Sequence, residues 1–239
     1  MGIIRRYRTA IKRHHRSAGF GIHSPHAFNF VTNVLRGRLP YYAYDDIATL
    51  RQHVIDASKS NWPHPRIISF KNAKLLFRIV NNFNPQEILQ IGTCYGVSSA
   101  CALAVDSKSH ITLYEPNIDV YPPTQEVFEK LGNRVTRHDT LEVSLNDYST
   151  LLDNQAPFII VNNLPDEKQD YNTLLEWIKP HLTNECVVIM RNLARHDHMK
   201  RLWNDCKTAA TGGQTFTNEK IAIIVATPKL QREDFFLWF

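Results

Sequence analysis

The sequence predicts an α/β domain: a mostly parallel seven-stranded sheet that ends in an antiparallel hairpin, preceded by a helical extension. Three observations predict it. From residue 69 onward, short apolar runs alternate with helical stretches, the pattern of parallel strands covered on both faces. Near the C-terminus two strand-like runs are joined by a connection too short for a parallel crossover. The residues before Asp45 carry eight basic side chains and no acidic one, so the N-terminal part differs in kind from the rest.

In chain order, residues 3–16 read as a basic amphipathic helix with Ile3, Ile4, Tyr7 and Ile11 at helical spacing. Gly19 and Gly21 break it, and Gly21-Ile22-His23-Ser24-Pro25 reads as a loop. Ser24 suits a helix N-cap and Pro25 a first turn, with a helix following through Ala27–Leu35. Asp45 opens another helix, with Ile47, Leu50, Val54 and Ile55 on one face. Trp62-Pro63-His64-Pro65 is a rigid connection, which divides the chain into an extension, 1–66, and a domain, 67–239.

In the domain, a helix over 72–82 places Leu75, Leu76, Ile79 and Val80 inward and stops at Asn84-Pro85. Strands are expected at Glu87–Ile91, Ile111–Glu115, Arg134–His138, Phe158–Asn162 and Cys186–Met190. Between them lie helical stretches at Val97–Val105, Thr124–Leu131, Val143–Leu152 and Tyr171–His181. After a helix at 196–209, Gly212-Gly213 breaks the chain, and Gln214–Asn218 with Lys220–Ala226 form the hairpin. The tail Phe235-Phe236-Leu237-Trp238-Phe239 is too apolar to float free, so it packs on the body or makes a subunit contact in a homo-oligomer.

Composition narrows the class. The 239 residues are 43% hydrophobic, enough for one sizeable core. No window approaches ~18 consecutive apolar residues, and no secretory leader pattern is visible. Cys94, Cys101, Cys186 and Cys206 form no Cys-x-x-Cys pair or zinc spacing and read as reduced thiols, which suits a cytoplasmic protein. The net charge of +5 is unevenly placed: beyond the first eight basic residues, 20 basic side chains face 23 acidic ones. Attachment of the basic extension to nucleic acid or an anionic membrane is weighed against covering of the acidic body, and the second is favoured.

In open α/β sheets, ligands bind beyond the carboxyl ends of the strands, where the strand order reverses. The first strand runs into Gly92-Thr93-Cys94-Tyr95-Gly96, a turn whose glycines permit close approach of a ligand and whose following helix presents free amides. Ser98 adds a hydroxyl. Glu115 ends the second strand about 20 residues later, where a carboxylate can accept both hydroxyls of a ribose. Asp139, followed by Thr140, stands after the third strand, where it can accept from an adenine amino group. Together these describe an adenosine pocket. A nicotinamide enzyme would want Gly-x-Gly-x-x-Gly, and the second and third glycines are missing from that register.

Glu87-Ile-Leu-Gln-Ile-Gly-Thr-Cys-Tyr-Gly-Val-Ser-Ser99 resembles the cofactor-loop region of class I methyltransferases, especially O-methyltransferase-like proteins. With the Gly21–Pro25 segment, the helix before the loop, the His196–Trp203 region and the apolar tail, the chain is most similar to small methyltransferase-like proteins of Bacteroidota. The resemblance implies a Rossmann-like sheet and an S-adenosylmethionine site at Gly92, Thr93, Cys94, Gly96, Ser98, Glu115, Asp139, Thr140 and Asn162, with a small-molecule substrate. It also exposes departures. Relatives usually carry an acid where Asn162 ends the fourth strand, and Asp-Asp where this chain has Arg191-Asn192. Mg²⁺ wants carboxylate and water oxygens, and Arg191 would repel it, so no metal site is expected. Asn162 and Arg191 either contact an anionic substrate or mark a scaffold that has lost turnover. His23, His138 and His196 are the candidate bases or orienting groups, and no catalytic residue is assigned.

Overall fold

The computed structural model describes residues 13–58, 67–93, 95–116 and 122–239. The 3–12 part of the expected N-terminal helix, the Trp62-Pro63-His64-Pro65 link and Cys94 lie outside the described residues; 13–17 are helical.

Helix α1, Pro25–Asn29, starts as its sequence dictates: the Ser24 hydroxyl accepts from Ala27 N at 3.3 Å, and Pro25 occupies the first turn. The helix then widens into a π-helical stretch, Phe30–Leu35, closed by a bond from Arg36 N to Val31 O. Helix α2 spans Ala43–Ser58, beginning two residues before Asp45. Tyr41 and Tyr44 pack with Phe77 there, so aromatic contact rather than a polar cap sets its start. Helix α3, Phe70–Phe83, is capped by Ser69 and ends at Asn84 in a left-handed conformation, ahead of Pro85.

The domain then alternates strand and helix: β1 Glu87–Ile91, α4 Val97–Leu103, β2 His110–Tyr114, α5 Pro122–Leu131, β3 Val135–His138, α6 Leu141–Leu151, β4 Phe158–Val161, α7 Glu167–Leu182, β5 Cys186–Arg191 and α8 Asp197–Ala209. The chain closes with β6 Gln214–Thr217, β7 Ile221–Ala226 and β8 Glu233–Phe236. The sheet has eight strands in the order β3-β2-β1-β4-β5-β7-β6-β8. β1 to β5 run parallel to one another, and β7 is antiparallel to β5 and to β6, the second as the short connection between them requires.

The expectation of seven strands is corrected by β8, which pairs parallel with β6 through Gln214↔Glu233 to Thr217↔Phe236. Glu233 and Asp234 hid this strand by interrupting the apolar pattern. Both acids find partners at the sheet edge: Glu233 accepts from Gln214 Nε2 at 3.2 Å, and Asp234 accepts from Thr215 Oγ1 at 2.7 Å and pairs with Lys207 at 2.9 Å. The tail is thus part of the sheet, with Phe235 stacked on Phe216 at 5.1 Å and Leu237 buried.

Alternate residues along each strand serve opposite faces. Ile88, Phe158, Ile160, Val187 and Ile189 face a core built with α1 to α5. Leu89, Ile91, Ile159, Val161, Val188 and Met190 face a second core built with α6, α7 and α8. Right-handed crossovers require this division. The chain builds outward from β1 to β3 with helices on one face, then reverses to β4 and β5 with helices on the other. The reversal falls between β1 and β4, which leaves a crevice at their carboxyl ends.

The first core also includes Ile22, Ala27, Phe30, Val31, Ile47 and Val54. Polar bonds reinforce the attachment. Gln214 on β6 donates to Ser24 Oγ at 2.7 Å and pairs with His26 Nδ1 at 2.7 Å. Arg78 of α3 donates to the Val34 and Leu35 carbonyls. Among the described residues, no helix is long and apolar enough to cross a membrane.

Candidate functional site

The crevice is formed by the turn after β1 and the segment after β4. Gly92 and Gly96 both adopt left-handed backbone, at φ 69° and 76°. A Cβ on Gly92 would collide with Asn163 Oδ1, and one on Gly96 would lie 2.9 Å from Val127 Cγ1. Conformation and space therefore both demand glycine at these two positions.

Between the glycines and the strand ends lies a buried polar network. Gln90 is buried between the apolar Leu89 and Ile91 of β1 and donates to Ser98 Oγ at 3.0 Å and to Gly92 O at 3.3 Å. Thr93 Oγ1 lies 2.9 Å from Ser99 Oγ and 3.3 Å from Ser98 Oγ. Asn162, at the end of β4, donates to Gly92 O and to Ser98 Oγ, and its Oδ1 accepts from Arg191 Nη1. Asn192 Nδ2 donates to the Asn162 carbonyl at 2.9 Å, from a left-handed backbone with φ 61°. Asn162 thus joins the ends of β1, β4 and β5. Arg191 is 8% exposed, and its charge is felt by the Cys101 thiol. Burial pushes that thiol up to about 12, with Arg191 pulling the other way.

Glu115 follows β2 directly and is 4% exposed. Its Oε2 accepts from the Thr93 amide at 2.9 Å, which ties the strand end to the loop. Asn163 Oδ1, beside Gly92, is buried and takes no hydrogen bond among the described residues, and the same is true of Gln90 Oε1. A buried acceptor without a donor is costly, by about 1–3 kcal/mol.

Asp139 and Thr140 stand apart from this network. They line a cavity of about 620 Å³ together with Tyr114, Pro116, Asp166 and Asp170. Asp170 is 3% exposed and accepts from Tyr114 OH at 2.9 and 3.1 Å and from Asp166 N at 2.8 Å. Burial raises its pKa above the ordinary carboxylate value, and burial together with Asp170 raises that of the Tyr114 phenol.

Of the residues expected at the site, Gly92, Thr93, Ser98 and Asn162 converge in one network, with Glu115 bound to it and Gly96 closing the turn. Asp139 and Thr140 are next door, in the cavity below β2 and β3. Gln90, Ser99, Asn163 and Asp170 were not anticipated. A lone glutamine in a buried strand is the one visible signal among them, since a polar side chain there demands partners. The candidate histidines have other settings: His138 Nε2 lies 2.9 Å from Asp147 Oδ2, His196 is stacked on His198 at 5.2 Å, and His23 is exposed. Among the described residues no group of three His, Cys, Asp or Glu side chains is assembled. Cys101, Cys186 and Cys206 are buried thiols.

No protein-family model matches the sequence, and no curated protein matches it either. Solved structures do. An O-methyltransferase from Bacillus cereus in complex with SAH superposes with a TM-score of 0.54 at 20% identity, over 82% of this chain and 96% of that one. The SAH-bound methyltransferase of Podospora anserina gives 0.53 at 18% identity, over 80% and 98%. A methyltransferase from Geobacter sulfurreducens gives 0.51 at 14% identity, over 82% and 96%. With the strand order β3-β2-β1-β4-β5-β7-β6 and the crevice between β1 and β4, the chain has the α/β fold of these methyltransferases.

Proposed function

We propose that the protein is an S-adenosylmethionine-dependent methyltransferase acting on a small molecule, of the O-methyltransferase-like type that the Gly21–Pro25 segment resembles in Bacteroidota. The observation that carries this reading is the carboxylate of Glu115, held at the carboxyl end of β2 and bonded to the backbone of a turn that only glycines can make. When bound, the cofactor supplies an electrophilic methyl group on a sulfonium.

The residues present fit that group. Glu115 is an acceptor for ribose hydroxyls, exchanging its bond from the Thr93 amide for them. Asn163 Oδ1, buried beside Gly92 and without a donor among the described residues, suits the ammonium of an amino-acid moiety. Asp139 and Thr140 line the neighbouring cavity and suit the base. Cys94 belongs to the same proposed set on position in the turn. Asn162 is read as a support: its amide is saturated by Gly92, Ser98 and Arg191, so it holds the loop rather than the ligand.

Methyl transfer from a sulfonium needs alignment and exclusion of water more than covalent help from the protein. The buried network supplies alignment by fixing the turn. At the β4 and β5 ends an amide and a guanidinium stand where a divalent cation would need carboxylates, which favours a metal-independent reaction. We keep the division into an extension, 1–66, and a domain, 67–239, as part of this reading.

Isothermal titration with S-adenosylhomocysteine tests it. The wild-type chain is expected to bind one equivalent. Glu115→Gln keeps the shape and still accepts from Thr93 N but weakens the ribose contact, so affinity should fall about tenfold or more, consistent with loss of charge-assisted bonds. Absence of binding by the folded wild type would turn the reading to its alternative, a scaffold that retained the fold without turnover.

A further inference from the structure

A second cleft, of about 890 Å³, opens on the same rim of the sheet. Its walls are the segment after the π-helical stretch, the first turn of α3, the β6–β7 turn and the C-terminal tail. It adjoins β5: the Lys220 carbonyl accepts from Leu193 N at 3.2 Å, and Ile221 is the sheet partner of Arg191.

The lining is strongly cationic. Arg36, Arg38, Lys71, Lys74, Arg78 and Lys220 all face it, and Arg13 adds a seventh cation. The one acidic side chain in the lining is Glu219, which lies 3.7 Å from Arg13. Among the described residues, Arg36, Arg38, Lys74, Arg78 and Lys220 take part in no ion pair, while Lys71 Nζ lies 3.0 Å from an oxygen of the terminal residue Phe239.

Three of the six have structural employment. Arg78 holds the Val34 and Leu35 carbonyls, Lys74 lies 4.7 Å over the Phe70 ring, and Lys71 donates to the main-chain oxygen of Phe239 at 3.0 Å. Among the described residues, the side chains of Arg36, Arg38 and Lys220 make no hydrogen bond or ion pair.

Like charges gathered in a concavity repel one another and are destabilising unless an anion joins them. Walls of low dielectric focus the resulting potential into the cleft. The N-terminal amides of α3, a helix of 14 residues, point their positive end at the same wall. Trp238, 47% exposed, adds an aromatic face to the lining.

We infer that this cleft binds a small molecule bearing two or more phosphate groups, with Arg36, Arg38 and Lys220 as its principal ligands. Guanidinium forks match phosphate oxygens bidentately, and the volume is that of a small-molecule site. The inference rests on the cleft itself and is independent of the methyl-transfer reading.

The probe is inorganic tripolyphosphate, titrated calorimetrically into the whole chain at about 50 mM salt, where screening is modest. The wild type should show one saturable site. Arg36→Gln/Arg38→Gln should weaken it by about tenfold or more, and Lys220→Gln, in the opposite wall, by a smaller factor. Lys130→Gln, at an exposed position of α5, should leave it unchanged. Melting temperatures and S-adenosylhomocysteine titrations of the same variants keep folding and the cofactor site as separate readouts. Lack of saturable binding by the wild type would overturn the inference. So would equal weakening by Lys130→Gln, which would mean diffuse attraction. Displacement of tripolyphosphate by a short single-stranded RNA at far lower concentration would overturn it in favour of nucleic acid.

Discussion

Asn162 ties the ends of β1, β4 and β5 together. It ends β4 at the crevice, as its place after Phe158–Val161 implies, yet its amide is spent on the Gly92 carbonyl, the Ser98 hydroxyl and the Arg191 guanidinium. Arg191 is buried and donates to that amide oxygen. Asn162→Ala should therefore take one partner from a buried charge and one from a loop carbonyl, at a cost of about 1–3 kcal/mol. Urea unfolding of the variant checks this, and a loss below about 1 kcal/mol would contradict the network. Glu115 was legible in position, because the apolar run Ile111–Tyr114 before it marks the end of β2. Its bond to the Thr93 amide was not, because a 22-residue separation bridged by sheet pairing carries no local signal.

Among the elements, the C-terminal edge diverges most from its sequence pattern. The β6–β7 hairpin followed from the short Asn218-Glu219 connection, whereas β8 had no hydrophobic alternation to announce it. It is placed by β6, which offers an unpaired edge, and by Phe216, which stacks on Phe235. The extension leans on this edge: Arg13 donates to Leu237 O at 3.2 Å and lies 3.4 Å over the Phe236 ring, and Trp238 N donates to Ser17 Oγ. Removing 233–239 should therefore do more than trim a tail. It buries less apolar surface, bares the β6 edge and frees residues 13–17, so the truncated chain should melt at lower temperature and aggregate. Calorimetry and light scattering test this; an unchanged, monodisperse product would show that β8 is dispensable.

At the scale of the molecule, the rim of the sheet is electrically divided. Asp139, Glu142, Asp166 and Asp170 line one cavity, and seven cations line the other. The crevice with Gly92 and Glu115 lies between β1 and β4, and Arg191 links it to the β5–β7 side. A ligand that binds only the folded chain stabilises all of it. S-adenosylhomocysteine at about 100 times its dissociation constant should contribute about 2.7 kcal/mol, a rise of roughly 5–10 °C in melting temperature for a chain of this size. Thermal denaturation reads this directly. A shift in Glu115→Gln as large as in wild type at equal ligand concentration would remove Glu115 from the site.

The α/β class, the order of the elements as far as β7, the antiparallel turn near the end and the glycine loop are all legible in the order of the residues. Each of these rests on local physics: periodicity of apolar residues, capping by Ser24, the stop at Asn84-Pro85, and the length of a connection. The tertiary structure alone decided which strand ends meet. It built the network of Gln90, Thr93, Ser98, Asn162 and Arg191, attached Arg13, Ser17, Ser24 and His26 to β6, β8 and the residues after it, and gathered seven cations from separate segments into one cleft. Those outcomes depend on contacts between residues far apart in the chain, for which no short-range pattern exists.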